Sequence, residues 1–161
     1  MMRKRRIVTA IVGVAALLVV LFAIVISNSN SGPTYTKDEI GLQIQLDLNE
    51  DIGLFIIHSD IDGNLESGGV SNANKSLLKK NELLFWTLSR EYYENMPDTV
   101  DLKLKFDIVT EYYEPNYENI YPEESVVPVD GEVSLNATFG EVYKIKVTGD
   151  KVNGYRATIE Q

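Results

Sequence analysis

His58 is the only histidine of the chain, and there is no cysteine. Cysteine nucleophiles and soft-metal sites built from several Cys or His ligands are therefore excluded. The adjacent pair His58-Ser59 cannot form a serine-histidine dyad, because consecutive strand residues point to opposite faces of a sheet. A serine from elsewhere in the chain could approach His58, but a lone histidine at a strand end is ordinarily structural, and no catalytic residue is assigned. The 24 Asp and Glu residues leave some carboxylate pair at a spacing suited to glycoside hydrolysis whatever the fold, so that pattern discriminates nothing. No glycine-rich phosphate motif of the P-loop or dinucleotide type is present.

The nearest approach to a metal motif is Asp60-Ile61-Asp62-Gly63-Asn64-Leu65-Glu66, which supplies positions 1, 3, 5 and 7 of a calcium loop. It then fails, since Leu65 stands where the turn glycine belongs and Ser71 where a bidentate Glu belongs. A hairpin turned at Asp62-Gly63 explains the same residues without a metal. No metal and no cofactor is expected. Asn74-Lys75-Ser76 and Asn136-Ala137-Thr138 match the glycosylation acceptor pattern, which matters only in a host with that pathway.

Binding chemistry concentrates between residues 111 and 124. Tyr112, Tyr113, Tyr117 and Tyr121 are interspersed there with Glu111, Glu114, Glu118, Glu123 and Glu124. Tyrosine offers a large contact area at low conformational entropy and a hydroxyl for hydrogen bonding, and the carboxylates would steer a basic partner or accept sugar hydroxyls. Pro115 and Pro122 reduce the cost of ordering the segment. The four tyrosines are the candidate ligand-binding residues. The competing reading has alternate tyrosines packing across one end of the domain while the glutamates face water.

The elements around these residues read as strands. Residues 41–48 alternate, with Leu42, Ile44, Leu46 and Leu48 on one face and Gln43, Gln45 and Asp47 on the other. Residues 53–59 are apolar on both faces and so central in a sheet, and Asp62-Gly63 turns the chain into 65–70, where Gly68-Gly69 suggests a bulge or an irregular end. Residues 71–81 lose the alternation and read as a crossing between sheets, with room for a turn or two of helix. A strand at 82–90 carries Trp86, the chain's one tryptophan, as the central core aromatic. After a turn at Met96-Pro97-Asp98-Thr99, residues 99–110 alternate most cleanly, with Leu102, Leu104, Phe106 and Ile108 inward. Residues 111–128 read as a long loop, followed by strands at 132–139, 141–148 and 154–159.

Seven or eight short strands with turns between them and no long amphipathic helix predict an all-β fold, an immunoglobulin-like antiparallel β-sandwich at residues 38–161. The cysteine pair and intervening tryptophan of antibody domains are absent, and a β-barrel of similar size is the alternative. With no disulfide, stability must come from packing.

Residues 7–26 contain no charge: fourteen are Ile, Val, Leu or Phe and four are Ala. A helix of that length spans roughly 30 Å, the hydrocarbon thickness of a bilayer. Arg3, Lys4, Arg5 and Arg6 crowd the preceding flank, which keeps residues 1–6 cytoplasmic and sends everything after the helix outward. The expected organisation is a basic start at 1–6, a transmembrane signal-anchor helix at 7–26 in contact with membrane lipid, a flexible linker at 27–37 and an extracytoplasmic domain. A cleaved signal peptide is the rival, in which case the domain is secreted, although twenty apolar residues exceed the usual 7 to 15. From residue 27 onward 11 basic residues face 24 acidic ones, a net charge of −13 that repels nucleic acid. The expected function is a non-enzymatic module that binds an envelope protein or glycan; the alternative is a small cell-surface polymer hydrolase using a carboxylate pair.

Overall fold

The computed structural model describes residues 32–93, 95–111, 121 and 123–160. The basic start, the apolar segment 7–26, the first part of the linker, and Tyr112, Tyr113 and Tyr117 lie outside the described residues. Among the described residues no helix is long and apolar enough to cross a membrane. The chain divides into two units, Met1–Thr34 and Tyr35–Gln161. Of the first, residues 32–34 are described and are exposed, without regular structure.

Tyr35–Gln161 is all-β. Its strands are β1 (Glu39–Leu48), β2 (Leu54–Ile61), β3 (Asn64–Val70), β4 (Leu83–Ser89), β5 (Thr99–Val109), β6 (Val126–Asp130), β7 (Val133–Thr138), β8 (Val142–Asp150) and β9 (Gly154–Glu160). One ladder joins β4, β1, β8, β9 and β6. The other joins β3, β2 and β5, with β6 and β7 sharing the far edge of β5. Together they form one nearly closed path, β3-β2-β5-β6-β9-β8-β1-β4.

Alternating sequence explains most of these strands. In β1 Ile40, Leu42, Ile44 and Leu46 are fully buried, and in β5 Val100, Leu102, Leu104, Phe106 and Ile108 fill the same core. Phe55 of β2 lies against Phe106 with ring centroids 5.3 Å apart, a spacing at which tilted aromatic pairs attract. The hairpin between β2 and β3 turns at Asp62 (φ 49°) and Gly63 (φ 88°), both positive as a two-residue turn of the primed type requires.

Four expectations need correction. The sheet is not wholly antiparallel, because β1 pairs with β8 and β6 with β9 in parallel. Residues 126–128, the end of the segment read as loop, belong with 129 and 130 to β6, which pairs with β5 through Val126, Val127 and Pro128 and then with β9 through Val129 and Asp130. Pro128 has no N–H to give a ladder, and it stands where the strand passes from one partner to the other. Residues 71–81 contain no helix; an isolated bridge of Leu78 to Ile52 holds that crossing. Trp86 is not the central core aromatic. Leu84 and Leu88 beside it are buried, but Trp86 is half-buried, and among the described residues Phe55, Phe106 and Tyr155 are the fully buried aromatic side chains.

Trp86 instead covers a seam. The sheet path ends at β3 and β4, and a Cβ placed on Gly68 of β3 would collide with the indole of Trp86 of β4. The missing side chain at Gly68 is what lets the ring reach across between the two terminal strands. Tyr93, just beyond β4, faces Glu66 of β3 without closing a hydrogen bond of regular geometry. Burial, and then the Glu66 carboxylate, raise its phenol above the ordinary value.

Candidate functional site

The outward row of β2 is Leu54, Ile56, His58 and Asp60, because Phe55, Ile57, Ser59 and Ile61 point into the core. Register then decides what each one meets. On β3 His58 is opposite Ser67, and on β5 it is opposite Lys105, with Asp107 opposite Ile56 and therefore diagonal to His58. The Ser67 hydroxyl lies 2.9 Å from His58 Nδ1, and His58 Nε2 lies 2.8 Å from Asp107 Oδ2. An ionised carboxylate only accepts, so Nε2 carries the proton and donates to Asp107. Nδ1 of the neutral ring is then an acceptor, and the Ser67 hydroxyl donates to it. The Ser67 oxygen keeps its lone pairs for something else.

Ser67 and His58 line a groove on the outer face, whereas Asp107 lines neither part of it. One part, ≈ 360 Å³, is bounded by Asp60, Leu65, Glu66, Ser67, Lys103, Lys105 and Glu132. A second part, also ≈ 360 Å³, shares Ser67 and is walled by Leu54, Ile56, Gly68, Gly69, Ser71 and Tyr121. Gly69 is required there: a Cβ on it would approach Leu54 Cδ1 to 2.8 Å, so its absence lets Leu54 lie across β3. Volumes of this size suit a small ligand or a few units of a polymer. Lys105 is held by Glu132 at 3.4 Å. Leu65 is 80% exposed at the rim.

The Ser67–His58–Asp107 chain has the order of nucleophile, base and orienting acid. A second requirement of acyl transfer is a pair of N–H donors converging on the developing oxyanion. Strands β2 and β5 are paired on both sides, so their N–H groups serve the ladders, and any unpaired N–H of β3 lies in the plane of the sheet. Among the described residues the groove thus presents side chains and no backbone donor pair. Nor do the described residues include a cluster of three or more His, Asp or Glu side chains suited to a metal ion. The acidic run at 60–66 is occupied with the hairpin: Asp60 accepts from the Gly63 N–H at 2.8 Å, Asp62 accepts from the Asp101 N–H at 3.1 Å, and Asn64 donates to the Ile61 carbonyl at 3.0 Å.

Of the four tyrosines singled out by sequence, Tyr121 is described, and it is half-buried in the second part of the groove. Ser67 and Asp107 were missed. Ser67 had a signal, because a two-residue turn at 62–63 sets 58 opposite 67. Asp107 had none, since the pairing of β2 with β5 joins segments 49 residues apart.

The loops nearest the Tyr121 end are tied to one another. Asn49 donates to Asp150 at 2.7 Å, Glu50 accepts from the Lys151 N–H at 2.7 Å and from the Tyr155 hydroxyl, and Lys79 pairs with Asp51 at 2.8 Å. Burial, followed by the Glu50 carboxylate, raises the Tyr155 phenol. Side-chain and backbone hydrogen bonds from Asn153, then one from Asn49, lower Asp150 to about 2.

No protein-family model matches the chain, and no curated protein matches it. Among solved structures it is similar to an NMR structure of a protein from Eubacterium rectale, at 11% identity and a TM-score of 0.44, covering 81% of this chain and 96% of that one. It is also similar to the membrane-binding domain of pneumolysin, at 12% identity and a TM-score of 0.36, covering 76% and 96%. Listeriolysin O is similar at 10% identity and a TM-score of 0.36, and there the chain spans 23% of the longer protein. Likenesses this distant carry no argument about what the chain does.

Proposed function

We propose that the chain is a membrane-anchored, extracytoplasmic binding module, an immunoglobulin-like domain without enzymatic activity that holds an envelope protein or glycan in the groove of β3, β2 and β5. The observation that carries this reading is the groove itself. One part, walled by Tyr121, Leu54 and Ile56, and the other, floored by Ser67 and His58, meet at one shared residue, Ser67. Anchoring rests on the uncharged segment 7–26 and the basic flank before it. Tyr112, Tyr113 and Tyr117 belong to the same reading as neighbours of Tyr121 in sequence.

Site-specific photo-crosslinking in intact cells tests it. A photoreactive residue at position 67 or 121 captures a partner, and one at position 158 on the outer face of the other ladder does not. Equal capture from all three positions, or from none, refutes the groove as the binding site.

A second reading, hydrolysis of a surface polymer, has one observation in its favour, the Ser67–His58–Asp107 chain. It ranks lower because no backbone donor pair faces the groove. A fluorophosphonate probe that labels Ser67, with labelling lost in His58→Ala, would reverse the ranking.

A further inference from the structure

We infer that the ligand of this groove is a neutral glycan bearing acetamido groups, and that Ser67 accepts a hydrogen bond from one acetamido N–H. The inference rests on the groove being the binding site and names the chemistry that fits it. Asp107 fixes the proton of His58 on Nε2, so in the neutral ring Nδ1 takes the Ser67 proton and the Ser67 oxygen is left to accept from a ligand. A complementary ligand must bring a donor to that point. Ser67 is also the residue at which the two parts of the groove join, with Ile56, Leu54 and Gly69 on one side. An acetamido group combines an N–H donor with a methyl, and this junction offers an acceptor beside an apolar wall.

Charge narrows the class further. Around the groove Lys103 and Lys105 stand against Asp60, Glu66 and Glu132, and Glu132 already engages Lys105. Within a segment whose net charge is −13, an anionic polymer meets repulsion. A peptide bound by strand addition needs the open edge of a sheet, whereas this groove lies on a face whose β2 and β5 backbone groups are already spent. Side-chain hydrogen bonds and one tyrosine wall suit a neutral ligand dense in hydroxyls.

The test is calorimetric titration of the full chain, solubilised in a polyoxyethylene detergent that carries no sugar headgroup, with chitotetraose as probe and tetralysine as cationic comparison. Chitotetraose should bind saturably. Ser67→Ala, with the melting temperature unchanged, should weaken it about tenfold, the loss expected when one well-placed hydrogen bond is removed. Thr158→Ala, on the outer face of the other ladder, should leave it unchanged. Absence of chitotetraose binding, or binding indifferent to Ser67→Ala, overturns the inference. If tetralysine binds instead, and Ser67→Ala abolishes that binding, the groove remains the site and the glycan assignment falls. If neither probe responds to Ser67→Ala and photo-crosslinking from position 67 also captures nothing, the groove reading falls with it.

Discussion

Two glycines in this domain are seats for aromatic rings, and they differ in what the ring joins. At Gly41 of β1 the ring belongs to Tyr35, a close neighbour in sequence, and a Cβ on Gly41 would meet its ring carbons at 2.7 Å. Ile40 and Leu42 point inward, so this seat is on the outer face, and Tyr35 fastens the start of the folded unit onto a strand already paired on both sides. The stretch read as linker, 27–37, thus ends inside the domain. At Gly68 the ring belongs to Trp86, on the inner side and at the seam between the two terminal strands, β3 and β4. One seat ties down the start of the folded unit; the other completes a sheet. Loss of the second should cost more, because no ladder hydrogen bonds stand behind it.

The largest expected effect is therefore that of Trp86→Ala, about 2 to 4 kcal/mol in denaturant unfolding, below the 3 to 5 of a fully buried aromatic because the ring is half-exposed. Tyr35→Ala should cost about 1 kcal/mol, since its ring is also part-exposed and the sheet beneath it stays intact. Equal losses would break the comparison and show that the seam does not depend on the indole.

Adding a methyl separates the seats in a second way. Gly68→Ala places a Cβ against a ring held within the domain, an overpacking expected to cost about 1 to 3 kcal/mol. Gly41→Ala meets a ring on the outer face at the start of the folded unit, which can swing toward solvent, and should cost less than about 1 kcal/mol beyond the loss of the Tyr35 contact. A double-mutant cycle sharpens this: Gly68→Ala and Trp86→Ala should be strongly non-additive, because the clash disappears with the ring. Additivity there would place the cost of Gly68→Ala in the β3 backbone.

Neither seat was legible in the sequence, although both glycines lie in segments read correctly as strands. Period-two alternation locates β1 and β5 because every inward position is apolar, and the Asp62-Gly63 turn fixes the β2–β3 register without reference to anything distant. What alternation does not carry is which strand lies beside which. Trp86 looked central because Leu84 and Leu88 share its face, and only the place of β4 at the end of the path makes it a cover for a seam. The same limit hid Asp107 from His58, and it hid the parallel pairs, which join strands far apart in the chain. β6 failed for a local reason: Pro128 breaks a five-residue strand whose two halves serve different partners.

The smallest expected effect distinguishes both apolar seats from the polar clasp between the β1–β2 and β8–β9 loops. Asp150 accepts from Asn49 Nδ2, from the Val152 and Asn153 N–H groups and from Asn153 Nδ2, and its pKa falls from an ordinary 3.8 to about 2. A carboxyl whose pKa is lower folded than unfolded contributes stability above the unfolded value and loses it as pH falls through the folded one. The loss should therefore run from about pH 4 to about pH 2. Asp51 moves in the same direction, held down by its hydrogen bond to Lys79 and then by the Lys80 N–H, so Asp150→Asn should remove part of the acid dependence and leave the rest. Both groups are exposed, and solvent screening keeps the amplitude small. Trp86 and Gly68 carry no titrating group, so the penalty of Trp86→Ala should be the same at pH 6 and pH 3. Unfolding curves for the full chain and both variants across that range check it. A Trp86→Ala penalty that differs between the two pH values would show that the seam does not rest on the indole alone.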